Sequence, residues 1–222
     1  MDLYPLYNSL RIALLSSVLV FFTGIGAAYY LAKLPKGLKG ILDLLLTLPL
    51  VLPPTVVGWF LLLLFGSNRP IGQFLSQHGI RFVMSWYGGV LTAFVVSFPL
   101  MYRTARGAFE SFDETLAWSA KTLGLSNAYI FWRIRLASIR PGILAGFVLS
   151  FARALGEYGA TAMLIGYTPG KTATISTTVY QLWRTNNNAD ALQWVLINLA
   201  ISGTVLLAVN LLEKKQTRKV AP

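Results

Sequence analysis

Five stretches of this chain are apolar over about the ~20 residues of helix that cross roughly 30 Å of hydrocarbon. They run from Ile12 to Ala32, Leu42 to Phe65, Trp86 to Tyr102, Ile143 to Ile165 and Ala191 to Leu212. The third is the shortest and contains Pro99. Only 12% of the 222 residues are charged and 55% are hydrophobic, about half the charged share of an ordinary soluble domain. The expected fold is an all-α membrane protein of five transmembrane helices, one domain over residues 1–222. Tyr29, Tyr30, Trp86, Tyr87, Tyr102 and Trp194 lie near span ends, as interfacial aromatic belts require.

The net charge of +11 is compatible with nucleic acid, an anionic lipid surface or an anionic substrate, and position discriminates among them. Under the five-helix scheme, one side of the membrane receives Lys33, Lys36, Lys39, Arg103, Arg106, Lys121, Arg133, Arg135, Arg140, Lys214, Lys215, Arg218 and Lys219. The other receives Arg11, Arg69, Arg81, Lys171 and Arg184, and Arg153 alone falls inside a span. Because cytoplasmic loops carry the excess of Lys and Arg, the N-terminus is expected outside and the C-terminus in the cytoplasm. Topology thus accounts for most of the basic charge, and no nucleic-acid partner is expected. The first apolar run has no basic segment before it and is too long for a signal-peptide core, so it reads as a retained helix.

Several chemistries are excluded. The chain has no Cys, which removes disulfides, thiolate metal sites and Cys nucleophiles. Its one histidine, His78, falls in an outer loop, and no catalytic triad, carboxylate pair or metal cluster is visible. No cofactor, metal site or enzymatic activity is expected. The segment "GYTPGKT" fails as a phosphate loop, since three residues rather than four separate Gly166 from Gly170 and Lys171. It reads as a turn before a short helix from about Ile175 to Trp183.

The segment from about residue 103 to 140 interrupts the apolar pattern without looking disordered. Asp113 suits an N-cap with Glu114 in the first turn, and Leu116, Ala120 and Leu123 fall at i, i+4 and i+7. Gly124 suits the left-handed position that ends a helix. Ser126 then caps a second short helix through "NAYIFWRIRL". The result is a compact knob. It either packs only on its own bundle or docks a cytoplasmic partner, with Ala120, Gly124 and Ser126 allowing close approach.

At these residues the chain resembles the permeases of ABC importers. "AKTLGLS", "IRL" and "RPG" are similar to the loop motif that forms their coupling helices, with Gly124 as the motif glycine. The family's Glu-Ala-Ala stretch falls on Trp118, Ser119 and Ala120, and its proline on Ala137, with Pro141 following. "LTLPLVLPPTVVGWFLLLLFG" (46–66), "SFPLMYRTAR" (97–106) and "FARALGEYGATAMLIGYTPGKTATISTTVY" (151–180) resemble the molybdate branch, and sulfate and tungstate permeases share part of this pattern. The resemblance implies a type I importer permease in a bacterial or archaeal inner membrane. It further implies two cytoplasmic ABC ATPase subunits gripping the loop, and a periplasmic or lipid-anchored oxyanion-binding protein on the outer side. One chain has too few helices for an importer pore and shows no internal repeat, so a second copy of itself is expected, surrounded by membrane lipid. An ion-coupled secondary transporter and a structural membrane subunit are the readings from other classes.

Inside the spans, Pro49, Pro53 and Pro54 remove backbone donors and kink the second helix. The kink either serves packing or shapes a pathway with Thr55 and the backbone near Gly58. Arg153 and Glu157, four apart, share a helix face and must pair or meet water. They are expected to fix helix packing or to contact the transported anion. With them, Ser97 and Thr161 complete the expected pathway or gate. Gly142, Gly146, Gly156, Gly159 and Ala160 permit close helix approach.

Overall fold

A computed structural model describes the backbone of residues 2–220 and the side chains of residues 2–207. The basic tail of Lys214, Lys215, Arg218 and Lys219 lies outside the described side chains. Among the described residues all regular structure is helical. The elements are α1 (Tyr4–Leu31), α2 (Lys36–Val51), α3 (Pro54–Phe65), α4 (Pro70–Gln77), α5 (Trp86–Glu110) and α6 (Glu114–Thr122). They continue with α7 (Asn127–Leu155), α8 (Gly159–Leu164), α9 (Ile175–Arg184) and α10 (Asn188–Val220).

The centre of the bundle is α5, packed between α1 and α7. Small residues set the spacing. A Cβ on Gly24 of α1 would stand 2.8 Å from Met101 Cγ of α5, and one on Gly142 of α7 would stand 2.9 Å from the Ala108 Cβ. Gly146 makes a similar approach to Met101 and Thr104. These contacts gather Val20, Ala28, Met101, Tyr102, Ala105, Phe109, Ile139 and Ile143 into one core. Burial on all sides also explains the polar residues of α5: Thr92 and Ser97 are fully enclosed, and their hydroxyls donate to the Gly89 and Ala93 carbonyls.

The expected spans are not all continuous helices. Among the described residues three helices are long and apolar enough to cross a membrane, Tyr4–Leu31, Asn127–Leu155 and Asn188–Leu207. The stretch Leu42 to Phe65 is two helices, α2 and α3, bent by 116°, and makes a fourth span if the pair counts as one. Here three prolines do more than kink. Pro49 sits inside α2, while Pro53 and Pro54 start α3 and leave Leu52 extended (ψ 140), because a residue before proline is driven out of the helical region. The third expected span is the 25-residue α5, about 37 Å long, which reaches across but is less apolar. The fourth, Ile143 to Ile165, stops at Leu155, breaks at residues 156–158 and resumes as α8.

The outer-loop expectations fare better. Gly166 (φ +63) and Gly170 (φ +68) turn the chain, and the amides of Lys171, Thr172 and Ala173 all point at the Thr168 carbonyl. Those amides are spent on the turn itself rather than offered to a phosphate. Thr174 and Thr177 form a reciprocal cap on α9, which ends one residue beyond the expected Trp183. Residues of α1 pin this loop: Asn8 Nδ2 donates to the Ala173 carbonyl at 3.0 Å, and the Ile175 amide donates to Ser9 Oγ at 2.8 Å.

Candidate functional site

Two features stand apart from the packed bundle, a knob between α5 and α7 and a break between α7 and α8. The knob is α6. Asp113 caps it, its Oδ1 accepting from the Thr115 amide at 3.0 Å and hydroxyl at 2.7 Å. Those bonds, the hydroxyl first, hold the Asp113 carboxyl below its ordinary range. Gly124 ends the helix at φ +78, with its amide on the Lys121 carbonyl and the Leu125 amide on the Ala120 carbonyl. Ser126 caps the next helix through the Tyr129 amide at 3.2 Å. Both caps and the glycine stop are where the sequence puts them.

The expected docking face is corrected by burial. Ala117 and Ala120 are the buried residues of α6 and join the core of α5 through Phe109 and Phe112. Leu116 (48% exposed), Trp118 (65%) and Leu123 (79%) point away. Ala120 therefore seats the knob instead of presenting it, since its place on the inner face with Ala117 follows an i, i+3 pair and Leu123 lies beyond the helix end. The second short helix is likewise corrected: Asn127 begins the 29-residue α7. With Ala137 rather than proline after Leu136, the amide needed to carry the helix through is present. The turn at Ile130–Arg135 is a π segment, which swings Arg133 and Arg135 relative to a regular helix.

Arg135 uses that position to grip the knob. Its Nη1 and Nη2 donate to Glu114 Oε1 and Oε2, both at 2.5 Å, while its guanidinium lies 5.1 Å from the Phe112 ring centre. A two-pronged arginine bridge fixes orientation as well as distance. Glu114 stands one helical turn before Trp118, so a carboxylate is available to brace the knob although position 118 is a tryptophan.

At the break, Arg153 Nη1 lies 2.6 Å from Glu157 Oε2, an ion contact off the hydrogen-bonding axis. The Glu157 side chain is 2% exposed and that of Arg153 is 29% exposed. Glu157 stands outside any helix, not on the continuous face expected, and its Oε1 accepts from the Ala160 amide at 2.7 Å. It thus starts α8 and pairs with Arg153 at once. Helix α3 closes over this point. A Cβ on Gly159 would stand 2.9 Å from the Pro54 Cβ and 3.1 Å from the Thr55 amide nitrogen, and one on Gly58 would stand 2.8 Å from the Ala160 Cα. Gly58→Val should therefore push backbone against backbone and lower stability by roughly 1–3 kcal/mol, read as a lower midpoint of thermal unfolding in detergent.

The break thus brings Pro54, Thr55, Arg153 and Glu157 together, with Pro53 and Thr55 exposed. Ser97 and Thr161 are not part of that surface. Both are buried: the Ser97 hydroxyl bonds within α5, and Thr161 Oγ1 lies 3.0 Å from Thr92 Oγ1, joining α8 to α5. Beside the break lies a cleft of about 480 Å³ between α9 and α10, whose wall includes Gly156, Tyr158, Tyr180, Trp183 and Asn198. Sequence reasoning missed these cleft residues, which come from three distant segments. It also missed Asp43, although a lone carboxylate in a leucine-rich span carried the same signal as Arg153.

Comparison with known proteins gives a consistent placement. Residues 21–220 match the family described as "Binding-protein-dependent transport system inner membrane component". The chain is 43% identical over 197 residues to the "Molybdenum transport system permease protein ModB" of Escherichia coli strain K12, covering 86% of each protein. It is 36% identical over 222 residues to the protein of the same name from Haemophilus influenzae, covering 99% of this chain and 97% of that one. Among solved structures, a bacterial ABC transporter that imports the acidic polysaccharide alginate superposes with a TM-score of 0.78 at 20% identity, over 96% of this chain and 79% of that one. At that identity the likeness is one of fold.

Proposed function

The chain belongs to the binding-protein-dependent transport system inner membrane components, and on that footing we propose that it is the permease subunit of an ATP-driven importer of molybdate. It is a multi-pass inner-membrane protein, and ATP is hydrolysed by a separate ATPase component. The observation that carries the reading is the knob: an exposed short helix, capped at both ends, seated in the core of α5 and bridged to α7 by Arg135 and Glu114.

Leu116, Leu123, Gly124 and Ser126 form the surface offered to the ATPase, with Ala120 beneath it. ATP binding draws two ATPase subunits together and moves the knob as a rigid piece. Since α5 and α7 are anchored to it, they tilt with it, and the bundle passes between inward- and outward-facing states. The excess of Lys and Arg around the knob supports a cytoplasmic location for it, with the N-terminus outside and the C-terminus inside. Two copies of the chain, related by a two-fold axis, place the break of one opposite that of the other, with the pathway between.

Exposed Pro53 and Thr55, the Arg153–Glu157 pair and the neighbouring cleft form each copy's wall. Glu157 offsets most of the Arg153 charge, so the wall attracts an oxyanion weakly and does not trap it. Tight binding belongs to the periplasmic oxyanion-binding protein that delivers the substrate. The test is uptake of labelled molybdate into vesicles holding the permease, its ATPase and the delivery protein. ATP should drive uptake, with tungstate competing more strongly than sulfate. Uptake driven by an ion gradient without the ATPase would replace this reading with a secondary transporter, and competition by sulfate alone would reassign the substrate.

A further inference from the structure

We infer that Asp43 and Arg106 form a polar lock through which motion of the knob reaches the bent helix pair α2–α3. This rests on the importer reading and adds two positioning residues to it. None of the side chains of α2 is fully buried, and Ile41, Leu44, Leu45 and Val51 are each more than half exposed. Apolar packing alone therefore holds α2 to the bundle weakly. Charge supplies what packing lacks. Asp43 Oδ1 accepts from Tyr102 Oη at 2.8 Å and from Arg106 Nη1 at 2.5 Å. Arg106 Nε donates to Glu110 Oε1 at 2.8 Å, and Lys39 Nζ lies 3.8 Å from the same oxygen.

The lock sits where it can transmit. Tyr102 is fully buried in α5, so one end of the network is fixed. Phe109, one turn beyond Arg106 on α5, and Phe112, just past the end of α5, share a core with Ala117 and Ala120 of the knob. From Asp43, α2 runs to the 116° bend, and α3 then presses Pro54, Thr55 and Gly58 onto Gly159 and Ala160 beside Glu157. One path thus runs from the knob through α5 and α2 to the break, beside the direct packing of Val96 of α5 on Val57, Leu61 and Ala160, and in that path the α5–α2 junction is the one fixed by an ion pair, Asp43–Arg106. Apolar surfaces can slide, whereas a hydrogen-bonded ion pair defines one register and can exchange it for another.

The experiment uses the reconstituted complex and two readouts. The first is molybdate imported per ATP hydrolysed for Asp43→Asn, Arg106→Gln, the double variant and Arg106→Lys. Asp43→Asn keeps an acceptor for Tyr102 while removing the charge. Each single change should lower the ratio about fivefold to tenfold, the double should be no worse than either, and Arg106→Lys should restore most of it. Multiplying losses in the double, or an unchanged ratio, would overturn the lock. The second readout does not need transport. With no native cysteine in the chain, spin labels at Leu45→Cys on α2 and Lys121→Cys on the knob report their separation. It should be narrow in the parent and in Arg106→Lys, and broad in Asp43→Asn and Arg106→Gln. Equal widths in all four would overturn the lock even if the importer reading itself had failed.

Discussion

Replacing Arg153 with Ala is expected to cost the folded permease about 3–5 kcal/mol and to lower its unfolding midpoint on the order of 10 °C. Glu157→Gln should cost about 1 kcal/mol. The asymmetry follows from where each group sits. The Glu157 side chain is 2% exposed, so deleting its partner strands a carboxylate with no counter-ion and little water. Its other oxygen cannot turn away, because it accepts the Ala160 amide and starts α8. In Glu157→Gln the side-chain amide oxygen keeps that acceptor role, and the Arg153 side chain left behind is 29% exposed rather than enclosed. Thermal unfolding of the detergent-extracted protein, with co-purification of the ATPase, checks both changes. Two variants as stable as the parent would show that the pair does not fix the break.

The helical class, the knob and its capping residues were legible in the sequence because each rests on local chemistry. Asp113, Gly124 and Ser126 act within three residues of themselves, and the structure places each in the expected role. What sequence could not give was which side of a helix meets which neighbour. Ala120 fits an apolar stripe with Leu116 and Leu123, yet a methyl group packs closest to Phe109 and Phe112, so the small residues turn in and the leucines turn out. Ser97 and Thr161 read as pathway lining because a polar residue in a span suggests water. Helix hydroxyls instead satisfy themselves on carbonyls one turn back or on each other, as Ser97 does with Ala93 and Thr161 with Thr92. The break within the second span was hidden for a related reason. Hydropathy sums residues without regard to φ and ψ, and Pro53 and Pro54 convert one apolar run into two helices at 116°.

The knob's glycine gives the sharpest separation of coupling from stability. Gly124→Val should leave insertion and the unfolding midpoint close to the parent while lowering ATP-driven uptake and ATPase association about a hundredfold. A Cβ at this position would meet nothing within 4 Å, so bulk is not the obstacle. The obstacle is φ +78, which costs an L-residue roughly 1–2 kcal/mol and a β-branched one more. The turn escapes that cost by reshaping locally, since only two backbone hydrogen bonds hold it, Gly124 on Lys121 and Leu125 on Ala120, and the Leu123 and Ser126 side chains on either side are exposed. Leu123, 79% exposed, and Ser126 then leave their places on the docking surface, and a displacement near 1 Å costs about 100-fold in a function that depends on alignment. A graded series distinguishes this from simple crowding. Asn tolerates the left-handed region better than Ala, so Gly124→Asn should retain more uptake than Gly124→Ala despite its larger side chain. The reverse order would assign the loss to bulk at the partner contact, and full activity in Gly124→Val would remove the glycine from coupling altogether.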